Sequence, residues 1–233
     1  MNSYVIVLGG GSGRRMDAGV NKVFLPLRDV PAIIRSIAPF SAICTGAIVV
    51  AAADELEQMQ TMIGRYGLSK FVKAVVSGGK ERQDSVANGL AALPGDAEAV
   101  LVHDGARPLV TVDVIKRVLS SIQARGCGIA AVSVVDTIKR AKRTGEVIQT
   151  PQRDELYAMQ TPQGFRADLI RSAHLKACEE GYIATDDAAL LEYAGMPVFL
   201  CEGDRENIKL TTAIDIALAE AILIARMERE IIE

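Results

Sequence analysis

Four glycines and two arginines stand within residues 8–16, which read LGGGSGRRM and follow the apolar run 4–8. Consecutive glycines let backbone N–H groups approach phosphate oxygens without obstruction by a Cβ atom, and two guanidinium groups can share the charge of a triphosphate. The loop is therefore suited to a polyphosphate. A tight turn with solvent-exposed arginines is the alternative interpretation of the same residues.

Two common phosphate-binding motifs are excluded by the residues that close this loop. A Walker loop requires Gly-Lys-Ser/Thr, but this loop ends Gly13-Arg14-Arg15-Met16. A dinucleotide fingerprint G-x-G-x-x-G begun at Gly9 reaches Arg14, and no acidic residue closes a second strand about 20 residues later. The pattern argues against a P-loop ATPase and a nicotinamide enzyme, and it leaves both a polyphosphate-binding loop and a tight turn open.

Two further polar loops follow apolar runs. Asp104, in HDGARP, comes directly after the run 99–103, where a carboxylate could hold a divalent ion that bridges phosphate oxygens, or could cap the next helix. Arg107 could orient that carboxylate or bind an anion, whereas His103 is more typical of a packing residue than of a base. In SGGKERQDS, Gly79 and Ser85 could contact a nucleotide base.

The elements that position these loops alternate along the chain, which predicts an α/β fold with a doubly wound, mostly parallel sheet. In such a sheet the loops after the strands meet at the carboxyl edge, where ligands bind. The predicted strands are 4–8, 47–52, 71–76, 99–103, 128–135 and 198–201, and the predicted helices are 32–40, 54–66, 82–93, 112–124, 167–179, 186–193 and 214–232.

The composition of the chain argues against several classes of protein. The chain has 233 residues and a formal net charge of −3, without the basic excess that nucleic-acid binding needs. Its four cysteines are far apart and form no CxxC pair, which argues against structural zinc. No signal peptide and no apolar run long enough for a membrane span are present, so we expect a cytoplasmic protein with no membrane partner.

The segment 136–156 reads DTIKRAKRTGEVIQTPQRDEL and breaks the alternation. It is polar, and Thr144-Gly145 is typical of a turn between two short strands. Such a ribbon has too little apolar surface for its own core. We therefore expect a protruding β-arm that packs on another chain, in preference to one that stays in solvent.

Taken together, the motifs resemble the 2-C-methyl-D-erythritol 4-phosphate cytidylyltransferase family over nearly the whole chain. The resemblance implies a Rossmann-like nucleotidyltransferase fold, a single domain over 1–233 and transfer of CMP from CTP to the polyol phosphate, with Mg²⁺ or another divalent cation as cofactor. The matching stretches are GGGSGRRM, NKVFLPL, SGGKERQDSV, LVHDGARP, VVDTIKRA, QTPQGF, TDDAALLEYAG and ENIKLT.

The resemblance also implies roles for individual residues. Arg15 and Lys22 would stabilise the transition state, and Asp104 would position the metal. The arm 136–156 would reach the neighbouring subunit of a homodimer. The nucleotide would be bound by Leu8, Gly9, Gly10, Gly11, Gly13, Gly79 and Ser85, and the polyol phosphate by Asp104, Arg107, Thr137, Arg153, Thr161, Thr185 and Lys209.

The chain departs from the family pattern near the nucleotide. Asn21 stands where the family generally has proline, Leu8-Gly9-Gly10 replaces a Pro-Ala-Ala-like run, and Lys80 stands at a position that is often acidic. We expect the loops at Asn21 and at Gly9-Gly10 to be more flexible than usual. Ribitol-5-phosphate cytidylyltransferase, a sugar-1-phosphate nucleotidyltransferase and a non-catalytic nucleotide-binding regulator remain alternatives.

Overall fold

The computed structural model of the protein describes residues 1–10 and 21–232, with side chains through residue 229. The strands are β1 (Ser3–Leu8), β2 (Pro26–Leu27), β3 (Val30–Pro31), β4 (Gly46–Ala51), β5 (Val72–Ser77), β6 (Ala99–Asp104), β7 (Cys127–Ser133), β8 (Arg140–Ala141), β9 (Val147–Gln149), β10 (Tyr157–Arg166) and β11 (Leu200–Glu202). The helices are α1 (Ala32–Ile37), α2 (Leu56–Arg65), α3 (Arg82–Ala91), α4 (Val112–Arg125), α5 (Ala167–Glu179), α6 (Asp187–Tyr193) and α7 (Ala213–Ile232). None of these helices is long and apolar enough to cross a membrane.

Seven strands form the central sheet in the order β11-β7-β10-β6-β1-β4-β5. β1 pairs in parallel with both β4 and β6, and the outer pairs β4-β5 and β7-β11 are also parallel. The chain runs from β1 outward to β5 and then returns to the other side of β1 through β6, which is the reversal of a doubly wound sheet. The predicted α/β class is confirmed.

The apolar cores lie on both faces of this sheet. Along β1, Val5 and Val7 pack into one core, whereas Tyr4 and Ile6 pack into the other. Successive side chains of a strand point to opposite faces, so a strand covered on both sides is apolar at every position. This is why the short apolar runs predicted the parallel strands correctly.

The sequence did not predict β10, which lies antiparallel between β6 and β7. Gln160, Thr161 and Gln163 are buried in this strand although they are polar. A strand whose buried positions carry polar side chains has no apolar pattern to reveal it. The sheet is therefore mixed at its centre, and the polar strand reaches the same edge as Asp104.

The carboxyl ends of the parallel strands bring the predicted loops together. Leu8 is paired with Asp104 across β1 and β6, and the Gly105 N–H donates to the Leu8 carbonyl at 2.9 Å. On the other side, the Gly78 N–H donates to the Ala51 carbonyl at 2.8 Å. The loops that follow β1, β4, β5 and β6 consequently start at one edge, as the sequence predicts.

Within the segment 136–156, β8 and β9 form an antiparallel two-stranded sheet of their own. The Lys142 N–H donates to the Glu146 carbonyl at 2.9 Å, which closes a turn around Gly145. Almost every residue of this segment is exposed to solvent. The paired strands match the expected ribbon, while its packing on a second chain stays a prediction.

Candidate functional site

Asp104, the last residue of β6, lies among three cationic side chains. Its Oδ2 is 2.8 Å from Lys209 Nζ and 3.6 Å from Arg107 Nε, and its Oδ1 is 3.9 Å from Arg82 Nε. Burial by itself would raise the pKa of Asp104, but Lys209, Arg82 and Arg107 together lower it to about 2. The ionised carboxylate thus holds Lys209 and Arg107 together, and these two cationic groups can bind an anion.

A cavity of about 170 Å³ opens beside this cluster. Pockets for drug-sized ligands usually enclose roughly 300–1,000 Å³, so this cleft has room for a small polar group and not for a whole nucleoside triphosphate. Five of the residues predicted to bind the polyol phosphate line it, namely Asp104, Arg107, Thr161, Thr185 and Lys209.

The loop before α7 is tied to the loop after β6. Arg107 Nη1 donates to the Asn207 carbonyl at 2.8 Å, and the Leu210 N–H donates to the Ala106 carbonyl at 2.8 Å. Asn207 is fully buried, and its Nδ2 donates to the Thr161 carbonyl at 2.8 Å. These bonds hold Arg107 and Lys209 at the cleft although the two lie far apart in the sequence.

Three of the glycines predicted to bind the nucleotide, Gly9, Gly10 and Gly79, lie at the same edge of the sheet. The Gly9 and Gly10 N–H groups both donate to the Val50 carbonyl, at 2.7 and 2.9 Å. The buried Ser85 hydroxyl accepts from the Gly79 N–H at 3.1 Å and donates to the Glu81 carbonyl at 3.1 Å. Ser85 therefore shapes the loop after β5, and contact of these residues with a nucleotide stays a prediction.

Asn21 retains the backbone angle that proline would impose, since its φ is −63°. Its Nδ2 donates to the Gly9 carbonyl at 2.9 Å and to Glu55 Oε2 at 2.8 Å. It thereby links the β1 loop to the start of a short 3-10 turn, Lys22–Phe24, whose first residue Lys22 is half-buried. The predicted Gly11, Gly13 and Arg15 lie outside the described residues.

Arg82 is not among the site residues that the sequence analysis predicted. A capping box between Glu81 and Asp84 starts α3 and places Arg82 at its first position. There Arg82 Nη1 lies 2.7 Å from Oδ2 of Asp187, which is fully buried, in addition to its contact with Asp104. Its place directly after the glycine loop was the signal that could have identified it.

Gln163 of β10 was also missed. Its Nε2 donates to Asp186 Oδ2 at 2.8 Å, while its Oε1 accepts from the N–H groups of Asp187 and Ala188, both at 3.1 Å. These bonds fix the start of α6 against the central sheet. The neighbouring Thr185 is held at the cleft as a result.

Thr137 and Arg153 do not line this cleft within one chain. Both are exposed in the segment 136–156, and Arg153 Nη1 donates to the Val135 carbonyl at 3.2 Å. Their predicted contact with substrate depends on a second copy of the chain. Among the described residues, no group of three or more His, Cys, Asp or Glu side chains could hold a metal ion.

The comparisons with known proteins agree with this geometry. The family model for 2-C-methyl-D-erythritol 4-phosphate cytidylyltransferase matches residues 3–225. The enzyme of that name from Geobacillus kaustophilus is 47% identical, with 97% of this chain and 99% of the relative covered. The one from Pelotomaculum thermopropionicum is 44% identical, with 96% and 95% covered.

Solved structures give the same result. The 4-diphosphocytidyl-2C-methyl-D-erythritol synthase of Anaerococcus prevotii superposes with a TM-score of 0.84 at 27% identity, covering 95% of this chain and 97% of that one. The 2-C-methyl-D-erythritol 4-phosphate cytidylyltransferase of Thermus thermophilus superposes with a TM-score of 0.77 at 31% identity, covering 95% and 98%. Fold, site and sequence together show that the chain belongs to the 2-C-methyl-D-erythritol 4-phosphate cytidylyltransferase family.

Proposed function

We propose that residues 1–233 act as a single nucleotidyltransferase domain that transfers CMP from CTP to 2-C-methyl-D-erythritol 4-phosphate. The products are 4-diphosphocytidyl-2-C-methyl-D-erythritol and pyrophosphate. The observation that carries the proposal is the cleft around Asp104, which is lined by Arg107 and Lys209 and lies at the same sheet edge as Gly9 and Gly79. A phosphate acceptor and a nucleotide can therefore bind side by side.

In this reaction an oxygen of the polyol phosphate forms a bond to the α-phosphorus of CTP, while the bond to pyrophosphate breaks. The attacking oxygen is already anionic, so the reaction depends on positioning and on positive charge instead of a protein nucleophile. Arg107 and Lys209 hold the polyol phosphate, and Asp104 orients both cations. Arg15 and Lys22 stabilise the charge that develops around phosphorus.

The side chains at this site supply enough ligands for Mg²⁺ only together with the phosphates of a bound nucleotide. Asp104 offers one carboxylate, and Mg²⁺ is commonly bound by one or two carboxylates together with substrate phosphates and water. Asp104 Oδ1 is the better placed oxygen, because Oδ2 is already 2.8 Å from Lys209 Nζ. When bound there, the ion would neutralise part of the triphosphate charge.

The proposal includes a homodimer that forms through the arm 136–156. The enzyme acts in the cytoplasm on CTP. The segment carries exposed apolar side chains, including Val147 at 54% and Ile148 at 48% exposure, which a second subunit would cover. Thr137 and Arg153 of each arm would then complete the cleft of the other subunit. Sedimentation equilibrium with and without Val147→Asp tests this, since a monomeric wild type would exclude it.

The decisive experiment incubates the purified chain with CTP, Mg²⁺ and 2-C-methyl-D-erythritol 4-phosphate and follows pyrophosphate release and product mass. A parallel reaction with ribitol 5-phosphate separates the related activity, and turnover with ribitol 5-phosphate alone would overturn the proposed substrate. CTP binding without product from either acceptor would instead identify a nucleotide-binding regulator. A parallel reaction with EDTA tests the metal requirement.

A further inference from the structure

His103 is a fully buried histidine next to the site that the reaction above does not use. Both of its ring nitrogens have hydrogen-bond partners. Nδ1 lies 2.9 Å from Thr161 Oγ1, and Nε2 lies 3.2 Å from the Arg107 carbonyl oxygen. The Phe40 ring packs against the imidazole with a centroid distance of 5.1 Å.

These partners determine the direction of each hydrogen bond. The Arg107 carbonyl can only accept, so in the neutral ring His103 Nε2 carries the proton and Nδ1 is the acceptor. The Thr161 hydroxyl therefore donates to Nδ1, and its oxygen is free to accept the Asp104 N–H at 3.0 Å. A directed chain runs from the Asp104 backbone through Thr161 and His103 to the Arg107 backbone.

These side-chain hydrogen bonds take the place of main-chain hydrogen bonds at the point where the pairing of β6 with β10 ends. The pairing of β10 with β6 ends at Gln163 and Val102, one residue before His103. Beyond that pair, the Asp104 N–H would be a buried donor without a ladder partner, and Thr161 satisfies it. The end of β6 can thus separate from β10 and leave room for the cleft while the Asp104 N–H stays hydrogen-bonded.

We propose that His103 is a positioning residue that sets the polyol-phosphate half of the cleft through Thr161 and Arg107. It fixes the backbone from which the Arg107 guanidinium projects and the rotamer of Thr161, and both residues line the cleft. Because His103 is fully buried, it acts through these residues and not by touching a substrate. The assignment of this half to the polyol phosphate rests on the proposed function.

The test compares His103→Leu, which removes both hydrogen bonds, with Phe40→Leu, which loosens the same packing but leaves the bonds in place. We expect His103→Leu to raise KM for the polyol phosphate about tenfold or more while KM for CTP changes less than about threefold. Phe40→Leu should leave both KM values near those of the wild type. Equal effects of His103→Leu on both substrates would overturn the proposal.

A thermodynamic cycle with Thr161→Val separates positioning from general destabilisation. If the two residues act in one chain, the double variant His103→Leu/Thr161→Val should raise KM little beyond the larger single effect. Independent, multiplicative effects would contradict the chain. His103→Asn, whose amide oxygen can still accept from Thr161, should recover part of the affinity.

A spectroscopic measurement tests the hydrogen-bond chain without an activity assay. Nitrogen-15 NMR of the histidine-labelled protein reports which ring nitrogen of His103 is protonated, and His103→Asn assigns its signal against that of His174. We expect the neutral Nε2–H form. Protonation at Nδ1 would refute the hydrogen-bond chain even if the enzyme is active, whereas an Nε2–H ring in an inactive protein would count against the proposed function alone.

Discussion

Lys209 Nζ lies 2.8 Å from Asp104 Oδ2, which joins the loop before α7 to the carboxyl end of β6. The Asp104 side chain is 11% exposed, whereas that of Lys209 is 42% exposed. The carboxylate therefore acts from within the protein, and the ammonium group keeps a face toward the cleft. A bound phosphate can share the lysine with Asp104 without displacing it.

Replacing Lys209 with glutamine should weaken binding of the polyol phosphate, because it removes a charge-assisted hydrogen bond at an otherwise intact site. We expect KM for that substrate to rise roughly 10- to 100-fold, with a smaller change in KM for CTP. Steady-state kinetics with each substrate varied measures both effects. Lys116→Gln on the exposed face of α4 is the matched control and should leave both values unchanged.

Substitution of Arg15 should reduce kcat much more than substitution of Arg14, although the two are neighbours in the glycine-rich loop. Arg15→Ala and Lys22→Ala should each reduce kcat by about 10²–10³-fold, as expected when one preorganised charge near the transition state is lost. Arg14→Ala should reduce kcat far less. Single-turnover measurements of product formation test this, and equal losses at both arginines would contradict the assignment of Arg15.

The sequence predicted the parallel strands of this fold because apolar residues occupy both faces of each strand. It also predicted that Asp104, Arg107 and Lys209 belong to one site, through the resemblance to a family. It did not predict β10, whose buried residues include Gln160 and Gln163, because polar burial leaves no periodic signal. β10 carries residues of the site, and it is the strand that an apolar pattern predicts least well.

The sequence also did not predict which charged residues form ion pairs with one another. Arg82 and Asp187 are more than 100 residues apart in the sequence yet lie 2.7 Å from each other. An arginine at a helix start normally faces solvent, and only the approach of α6 to α3 gives it a buried carboxylate. Long-range ion pairs of this kind depend on the tertiary packing, which local spacing does not encode.

Gly79→Ala should disrupt the loop that follows β5. A Cβ atom at Gly79 would lie 2.2 Å from the Asp84 Cβ, in the capping box that starts α3. The loop would have to shift, and a displacement of about 1 Å at a positioned site can cost roughly 10²-fold in rate. We expect kcat/KM for CTP to fall by at least about tenfold. Gly95→Ala, where a Cβ meets open space, is the control and should behave as wild type.

Asp215 should make the start of α7 sensitive to acid. Its Oδ2 accepts hydrogen bonds from the backbone and hydroxyl groups of Thr211 and Thr212, and the Thr211 hydroxyl leads the contacts that lower the pKa of Asp215 to about 2. A carboxyl whose pKa is lower in the folded state stabilises the protein above its unfolded pKa of about 3.9. That stabilisation is lost as the pH falls toward 2.

Asp215→Ala should therefore lower the free energy of unfolding at pH 7 by on the order of 1 kcal/mol, as is typical when capping hydrogen bonds at a helix start are lost. The difference from wild type should shrink below about pH 4. Differential scanning calorimetry between pH 7 and pH 3 measures it. Asp113→Ala, in the exposed first turn of α4, is the matched control. A difference that grows on acidification would contradict the prediction.

Removal of Arg82 should destabilise the protein more than removal of an arginine from an exposed ion pair. Arg82→Ala would leave the fully buried Asp187 without its 2.7 Å partner, and breaking a buried ion pair from one side costs about 3–5 kcal/mol. Asp187→Asn in the same background should recover part of that loss, since the neutral amide has the same size. Arg166→Ala breaks an equally short pair on the surface, where both side chains are more than half exposed, and should cost less than about 1 kcal/mol. Urea unfolding of the four proteins measures these differences, and similar losses for Arg82→Ala and Arg166→Ala would show that Asp187 does not depend on Arg82.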